Sequence, residues 1–178
     1  GIELIPKPLA SFSGHVILEP AKPPECGGKR RPVFSEMMVT VRRPEKDMEQ
    51  DLLPFFPMSN ATAVDAKGSF VIRNLIPARY MPQPEFYARY WYLNSITTAG
   101  TPKIDAAANW TTLKMGAATD ITISLAEGAA SIRGRVSAAN GASVPSGLAV
   151  YLMPAEREKT ADVLRYFVTA VAADGTFG

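Results

Sequence analysis

Few residues in this chain are equipped for chemistry. His15 is the one imidazole and Cys26 the one thiol among 178 residues. A catalytic histidine needs a nucleophile on one side and an orienting carboxylate on the other, and no Gly-x-Ser-x-Gly elbow or equivalent occurs. His15 alternates out of phase with Gly14 and Val16 and reads as a surface or edge-strand residue. Cys26 stands in Pro23-Pro24-Glu25-Cys26-Gly27-Gly28, a loop without a basic pair to stabilise a thiolate, and reads as a free thiol. Outside a reducing compartment it could pair between molecules. One cysteine and one histidine exclude a disulfide framework, a zinc finger and a His-rich metal site. Glu45, Asp47, Glu49 and Asp51 alternate, which raises calcium, but calcium asks for about six to eight converging oxygens and a turning glycine. Lys46 interrupts that run and the next glycine is Gly68, so a solvated acidic loop is the better reading. Neither metal nor cofactor is expected.

Binding residues are more plentiful. The cluster Lys29-Arg30-Arg31 with Arg42 and Arg43 suits an anionic polymer, yet Lys+Arg 19 against Asp+Glu 17 leaves a formal charge of only +2. Nucleic acid is not expected as a partner, and such runs are usually solvated. The rings Phe86, Tyr87, Tyr90, Trp91 and Tyr92, with Trp110 further on, raise carbohydrate binding, because exposed rings flanked by Asn and Arg stack on sugars. On a strand, Tyr90 and Tyr92 share one face and Trp91 takes the other, so only one set faces solvent. The competing reading places half of these rings in the core and the rest against a neighbouring domain. Tyr90, Trp91, Tyr92 and Trp110 are the candidate polysaccharide contacts. Leu52, Leu53, Phe55 and Phe56, in Leu52-Leu53-Pro54-Phe55-Phe56-Pro57-Met58, form an apolar, proline-stiffened connection. That segment either covers a sheet edge or contacts a partner. Asn60-Ala61-Thr62 and Asn109-Trp110-Thr111 are sequon-like, which matters only in a eukaryotic secretory pathway.

The elements that must position these groups are strands. Fifteen prolines and thirteen glycines are too many for a helical bundle, while 47 % hydrophobic and 20 % charged residues make a globular composition. No apolar run approaches the roughly eighteen residues of a membrane span, and the opening Gly-Ile-Glu-Leu-Ile-Pro is not a signal peptide. Val39 and Val41 alternate with Thr40 and Arg42; Ile121 and Ile123 alternate with Thr122 and Ser124. Phe70 and Ile72 share a face, Tyr87 through Leu93 reads as an aromatic strand, and Pro77 stops a ladder in a short crossing loop. Asp65-Ala66-Lys67-Gly68 is a hairpin turn. Thr160 to Val168 comes nearest to a helix, and it is short. About seven strands between Ser11 and Leu125 predict an all-β, antiparallel Greek-key sandwich.

An internal repeat organises the chain. Ser11-Phe12-Ser13-Gly14-His15-Val16 returns as Ser131-Ile132-Arg133-Gly134-Arg135-Val136, an offset of 120. Met38-Val39-Thr40-Val41-Arg42-Arg43-Pro44 returns as Ala149-Val150-Tyr151-Leu152-Met153-Pro154. The stretch from Ala63 to Phe70 returns as Val171 to Phe177, where the offset has shrunk to 107. The shortening is expected between the second and third strands. Ile2-Glu3-Leu4-Ile5 resembles Ile121 to Leu125, so residues 1–8 read as the last strand of a preceding repeat or a linker, 9–127 as a complete sandwich, and 128–178 as the first half of a second. A boundary cutting a longer array is the expected reason for the half copy, since a half sandwich leaves an open edge and an uncovered apolar face.

The combination Gly14-His15-Val16, Val39-Thr40-Val41-Arg42 and Asp65-x-x-Gly68-x-Phe70-x-Ile72-x-Asn74-Leu75-x-Pro77-x-Arg79-Tyr80 resembles the carboxypeptidase regulatory-like domain. That family is a prealbumin-like sandwich, similar also to pilin-type and starch-binding-like sandwiches. Phe86 through Asn94 is similar to the aromatic strand of tandem copies in large secreted bacterial proteins. Ala78 departs from the family's usual glycine, and Lys67 reads as an insertion beside the tight Asp174-Gly175 of the second copy. The resemblance implies no catalytic residues; in metallopeptidases that carry such a domain, the zinc chemistry lies elsewhere. The expected function is therefore a non-enzymatic structural and interaction module in a tandem array. The resemblance implies an exported protein, placed at the cell surface, in the periplasm or outside the cell. Its partners would be neighbouring repeats, a polysaccharide or another surface protein. The rival reading is a carbohydrate-binding module, and a third is an accessory domain of a metallopeptidase.

Overall fold

The computed structural model describes residues 8–21, 30–43, 61–98, 111–139, 141–157 and 166–178. Eight strands lie in the first part: β1 (Ala10–Glu19), β2 (Met38–Arg42), β3 (Ala61–Ala63), β4 (Ser69–Leu75), β5 (Arg79–Glu85), β6 (Trp91–Thr98), β7 (Thr111–Thr112) and β8 (Ala118–Glu127). They form two four-stranded sheets, ordered β4-β1-β8-β6 and β3-β2-β5-β7. The expected all-β sandwich is what the chain folds into. The count exceeds seven because β3 and β7 are fragments of three and two residues at sheet edges. Apart from the step from β2 to β3, every connection changes sheet.

One pairing departs from a purely antiparallel scheme. β1 and β8 run parallel in unbroken register from Ser11↔Ala118 to Glu19↔Ala126. Parallel neighbours cannot be joined by a tight turn and need a long crossover; here the intervening strands of the sandwich make that connection.

The alternating residues face inward as their period requires. Phe12, Val16, Val39, Val41, Phe70, Ile72, Ile121 and Ile123 all belong to one buried cluster. Gly14 interrupts the inward row of β1, and the sheet shows why. It pairs with Phe70 on β4 and with Ile121 on β8. A Cβ there would drive into the Ile121 carbonyl oxygen and sit 2.9 Å from the Phe70 ring. The ring fills the space a side chain would take.

The motif from Asn74 to Tyr80 closes the step from β4 to β5. Asn74 takes a left-handed φ of 61°, a conformation that asparagine tolerates better than most residues. Tyr80 is fully buried, donates its hydroxyl proton to the Ile76 carbonyl at 3.0 Å, and meets Phe12 edge-on at 6.2 Å. Ala78 keeps an ordinary negative φ, and its carbonyl accepts the Leu113 N–H at 2.9 Å, so this turn closes without glycine. Pro82 and Pro84 lie inside β5, where a missing donor would normally break a ladder. They share the parity of Ala78 and Tyr80, the side facing β7, and among the described residues β7 pairs with Arg79 and Tyr80 alone. Their absent donors therefore fall on an edge that is unpaired among the described residues, where proline is tolerated and discourages strand addition.

Beyond Ala130 the described residues hold β9 (Gly134–Arg135), β10 (Ala149–Leu152), β11 (Phe167–Ala170) and β12 (Thr176–Phe177), with β9 paired to β12 and β10 to β11. Gly134 pairs with Phe177 as Gly14 pairs with Phe70, and the Phe177 ring again lies over the glycine, 2.5 Å from where a Cβ would stand. Val150 pairs with Thr169 as Val39 pairs with Thr62. The Val136 N–H donates to Gly175 O as Val16 donates to Gly68 O, each at 2.8 Å. These equivalences correct two expectations. Both hairpin turns close with the same bonds, Gly68 N to Asp65 O and Gly175 N to Ala172 O, so Lys67 occupies the position of Asp174 and nothing is inserted. The offset falls from 120 at Gly14 to 111 at Val39 and 107 at Thr62, so most of the shortening precedes β2 and its equivalent. Among the described residues from Ser131 onward only Gly175 is buried, and Tyr151, Leu152, Met153, Phe167 and Val168 are exposed. Among the described residues the second set of strands is paired without a core.

Replacing Gly14 by alanine will destabilise the sandwich by about 3 kcal/mol, because the obstructing atom is backbone on β8 and cannot swing aside. Urea unfolding followed by tryptophan fluorescence checks this; a change below about 0.5 kcal/mol would show that the sheet relaxes around the methyl group.

Candidate functional site

The expected aromatic strand starts later than its composition suggests. Phe86 to Ala88 is irregular, Ala88 to Trp91 is a turn closed by the Trp91 N–H on the Ala88 carbonyl at 3.1 Å, and β6 begins at Trp91. The Tyr90 carbonyl accepts both the Gly128 N–H at 2.9 Å and the Ala129 N–H at 3.1 Å. Gly128 makes this possible with a φ of 106°, a region that only glycine enters cheaply. The turn is thus clamped to the end of β8.

This clamped turn shapes an open cleft of about 640 Å³ lined by Arg30, Phe86, Tyr87, Ala88, Arg89, Tyr90 and Trp91. Its volume lies within the usual range for small-molecule sites. Trp91 is 5 % exposed and belongs to the core, so it contributes only an edge to the floor. Tyr90 is half-buried and packs against the same core. Tyr87 is 77 % exposed, the highest value among the described large hydrophobic residues. Because Tyr90 lies in the turn, it does not alternate with Tyr92, and the expected shared face of those two rings does not form. Tyr92 is exposed on the outer face of its sheet, away from the cleft lining. Trp110 lies outside the described residues. The ring that sequence alternation passed over is Tyr87, and the signal that locates it is the turn, not the strand.

The basic cluster is dispersed. Arg30 donates to Glu36 and lines the cleft. Arg42 is exposed at the end of β2, while Arg43 places its guanidinium 6.0 Å from the centre of the buried Tyr80 ring, a cation–π contact. Lys29 lies outside the described residues, as do Cys26, Glu45, Asp47, Glu49 and Asp51. So do Leu52, Leu53, Phe55 and Phe56 of the apolar connection.

His15 is exposed on the outer face of β1, with its Nδ1 3.1 Å from the Ser69 hydroxyl. Asp65 is close by, but its Oδ1 accepts the backbone N–H groups of Ser69 and Lys67, each at 2.8 Å. That carboxylate orders the hairpin and does not orient the imidazole. Among the described residues no three His, Cys, Asp or Glu side chains gather as a metal site. On the same outer face the Glu19 carboxylate accepts the Ser124 hydroxyl at 2.6 Å and the Asn94 amide at 3.2 Å. Asn94 is the extra residue of a bulge between Leu93 and Ser95, and the bond ties β6 to β1 across β8. Among the described residues no helix is long and apolar enough to cross a membrane. No family model and no curated protein matches the chain.

The two hairpin carboxylates make acid stability testable. Asp65 is held below its ordinary 3.8, first by the Ser69 N–H and then by that of Lys67. Asp174 is lowered from the same value by the Thr176 N–H and then by its hydroxyl. A lowered folded-state value contributes stability that is complete above 3.8 and is lost as pH falls through the folded-state value. The double substitution Asp65→Ala and Asp174→Ala will flatten the fall of the urea midpoint below pH 4; an unchanged slope would assign the acid sensitivity to other carboxylates.

Proposed function

We propose that this chain is a non-enzymatic β-sandwich module of a tandem array, carried by an exported or cell-surface protein and resembling the carboxypeptidase regulatory-like domain. The observation that carries the reading is the duplicated glycine–phenylalanine pairing, Gly14↔Phe70 and Gly134↔Phe177, beside the matching Val39↔Thr62 and Val150↔Thr169 registers. Such a lock is structural, and its repetition favours a chain built to space and present surfaces. The packed core from Phe12 to Leu125 supplies stiffness, and the residues after Glu127 supply the link to the next unit. Export follows from the family resemblance.

Carbohydrate binding is the second reading, and the cleft beside Tyr87 favours it: an exposed ring above an aromatic floor is a surface on which a sugar can lie. In this reading the array presents a polysaccharide contact, and the spacer and binding roles are compatible.

If the units fold independently, hydrogen exchange on the full chain will separate them. Gly134→Val will raise exchange in residues 131–178 by tenfold or more and leave β1, β4 and β8 protected, while Gly14→Val will open those strands. Loss of protection in β1 and β8 from the Gly134 change would refute the modular reading.

A further inference from the structure

Resting on the carbohydrate reading, we infer that the Phe86–Trp91 cleft takes an acidic polysaccharide, with a uronate ring lying on Tyr87 and its carboxylate held by Arg89. The lining contains two guanidinium side chains and no carboxylate. Arg30 is already engaged by Glu36, whereas Arg89 is exposed and makes no ion pair or hydrogen bond among the described residues. Two of the turn's carbonyls already accept, Ala88 from Trp91 and Tyr90 from Gly128 and Ala129. Beside the Tyr87 ring the cleft offers the N–H donors of the Arg89 guanidinium. The oxygens of a neutral sugar accept from those donors only as uncharged partners. A carboxylate accepts a planar guanidinium in two parallel bonds and matches them. An extended peptide would pair through backbone groups along a strand edge, whereas residues 86–90 are irregular chain and turn rather than strand. The open form of the cleft lets a polymer lie through it while one ring sits on Tyr87.

Titration of the full chain with polygalacturonate, with its fully methyl-esterified form and with polyglutamate, read by tryptophan fluorescence, tests this. Trp91 lies in the floor and reports directly. Polygalacturonate is expected to shift the emission with saturation, and methyl esterification to weaken binding by about tenfold or more, the scale of a lost charge-assisted bond. Arg89→Gln and Tyr87→Ala should each weaken it by a similar factor; both side chains are exposed, so folding is retained and far-ultraviolet circular dichroism verifies it. Equal binding of the esterified polymer would overturn the acidic assignment while leaving carbohydrate binding standing. Polyglutamate binding as tightly would reduce the effect to charge attraction, and a flat response to every polymer would overturn both readings.

Discussion

The approach of three backbones at Gly14 is the constraint from which the sandwich is built. β1 lies between β4 and β8, and at Gly14 it comes so close to β8 that a methyl group would meet the Ile121 carbonyl. The bare position is not left as a void, because the Phe70 ring covers it from β4. Glycine in a strand costs about 1 kcal/mol in conformational freedom, whereas burying a phenylalanine ring contributes about 2–3 kcal/mol. The exchange favours the glycine as long as the ring arrives in register. Register is secured one step further along, where the Val16 N–H meets the Gly68 carbonyl and Gly68 turns the chain with a φ of 85°. Asp65 then caps the turn through the N–H groups of Lys67 and Ser69. Residues scattered from position 14 to 70 are thus one device, and its second occurrence around Gly134 and Phe177 uses the same parts in the same order.

Much of this was legible because each part leaves a local mark. Alternation at Val39 and Val41, or at Ile121 and Ile123, states which face is inward, and those residues are buried. Alternation does not state which strand lies alongside, so the parallel partnership of β1 and β8 was invisible. Nothing in the local sequence around Pro82 and Pro84 indicates which side of β5 lacks a described neighbour. The two stretches matched motif to motif, but their loops differ in length, and only the paired registers reveal that the shortening falls mainly before β2. Lys67 looked extra because Asp174 sits next to its glycine while Asp65 stands three residues before Gly68; the carboxylate has changed position inside a turn of constant length.

The candidate site was legible in composition and misplaced in geometry. Six residues from Phe86 to Trp91 include four aromatic rings, and β-propensity extends a strand through them. The Tyr90 carbonyl overrides that propensity. By accepting two N–H groups from the end of β8, it holds residues 88–91 in a turn, so Trp91 points into the core and Tyr87 is left outside. Propensity acts residue by residue, whereas this clamp depends on a glycine 38 positions downstream, at Gly128.

That same clamp connects the site to the proposed modular role. Gly128 and Ala129 leave β8 toward the second set of strands, and their N–H groups are the ones fixed on Tyr90. The first residues of the link are therefore anchored to the turn that carries the cleft, which keeps the cleft wall and the exit of the chain in one rigid piece. With a formal charge of only +2 on the whole chain, there is no strong field to draw an anionic polymer from a distance, and salt screens exposed charges beyond about 8 Å. Recognition at such a surface depends on contact, on how well one ring and one guanidinium are held. A wall pinned by two backbone hydrogen bonds meets that requirement better than a free loop, because less ordering entropy remains to be lost when the ligand arrives.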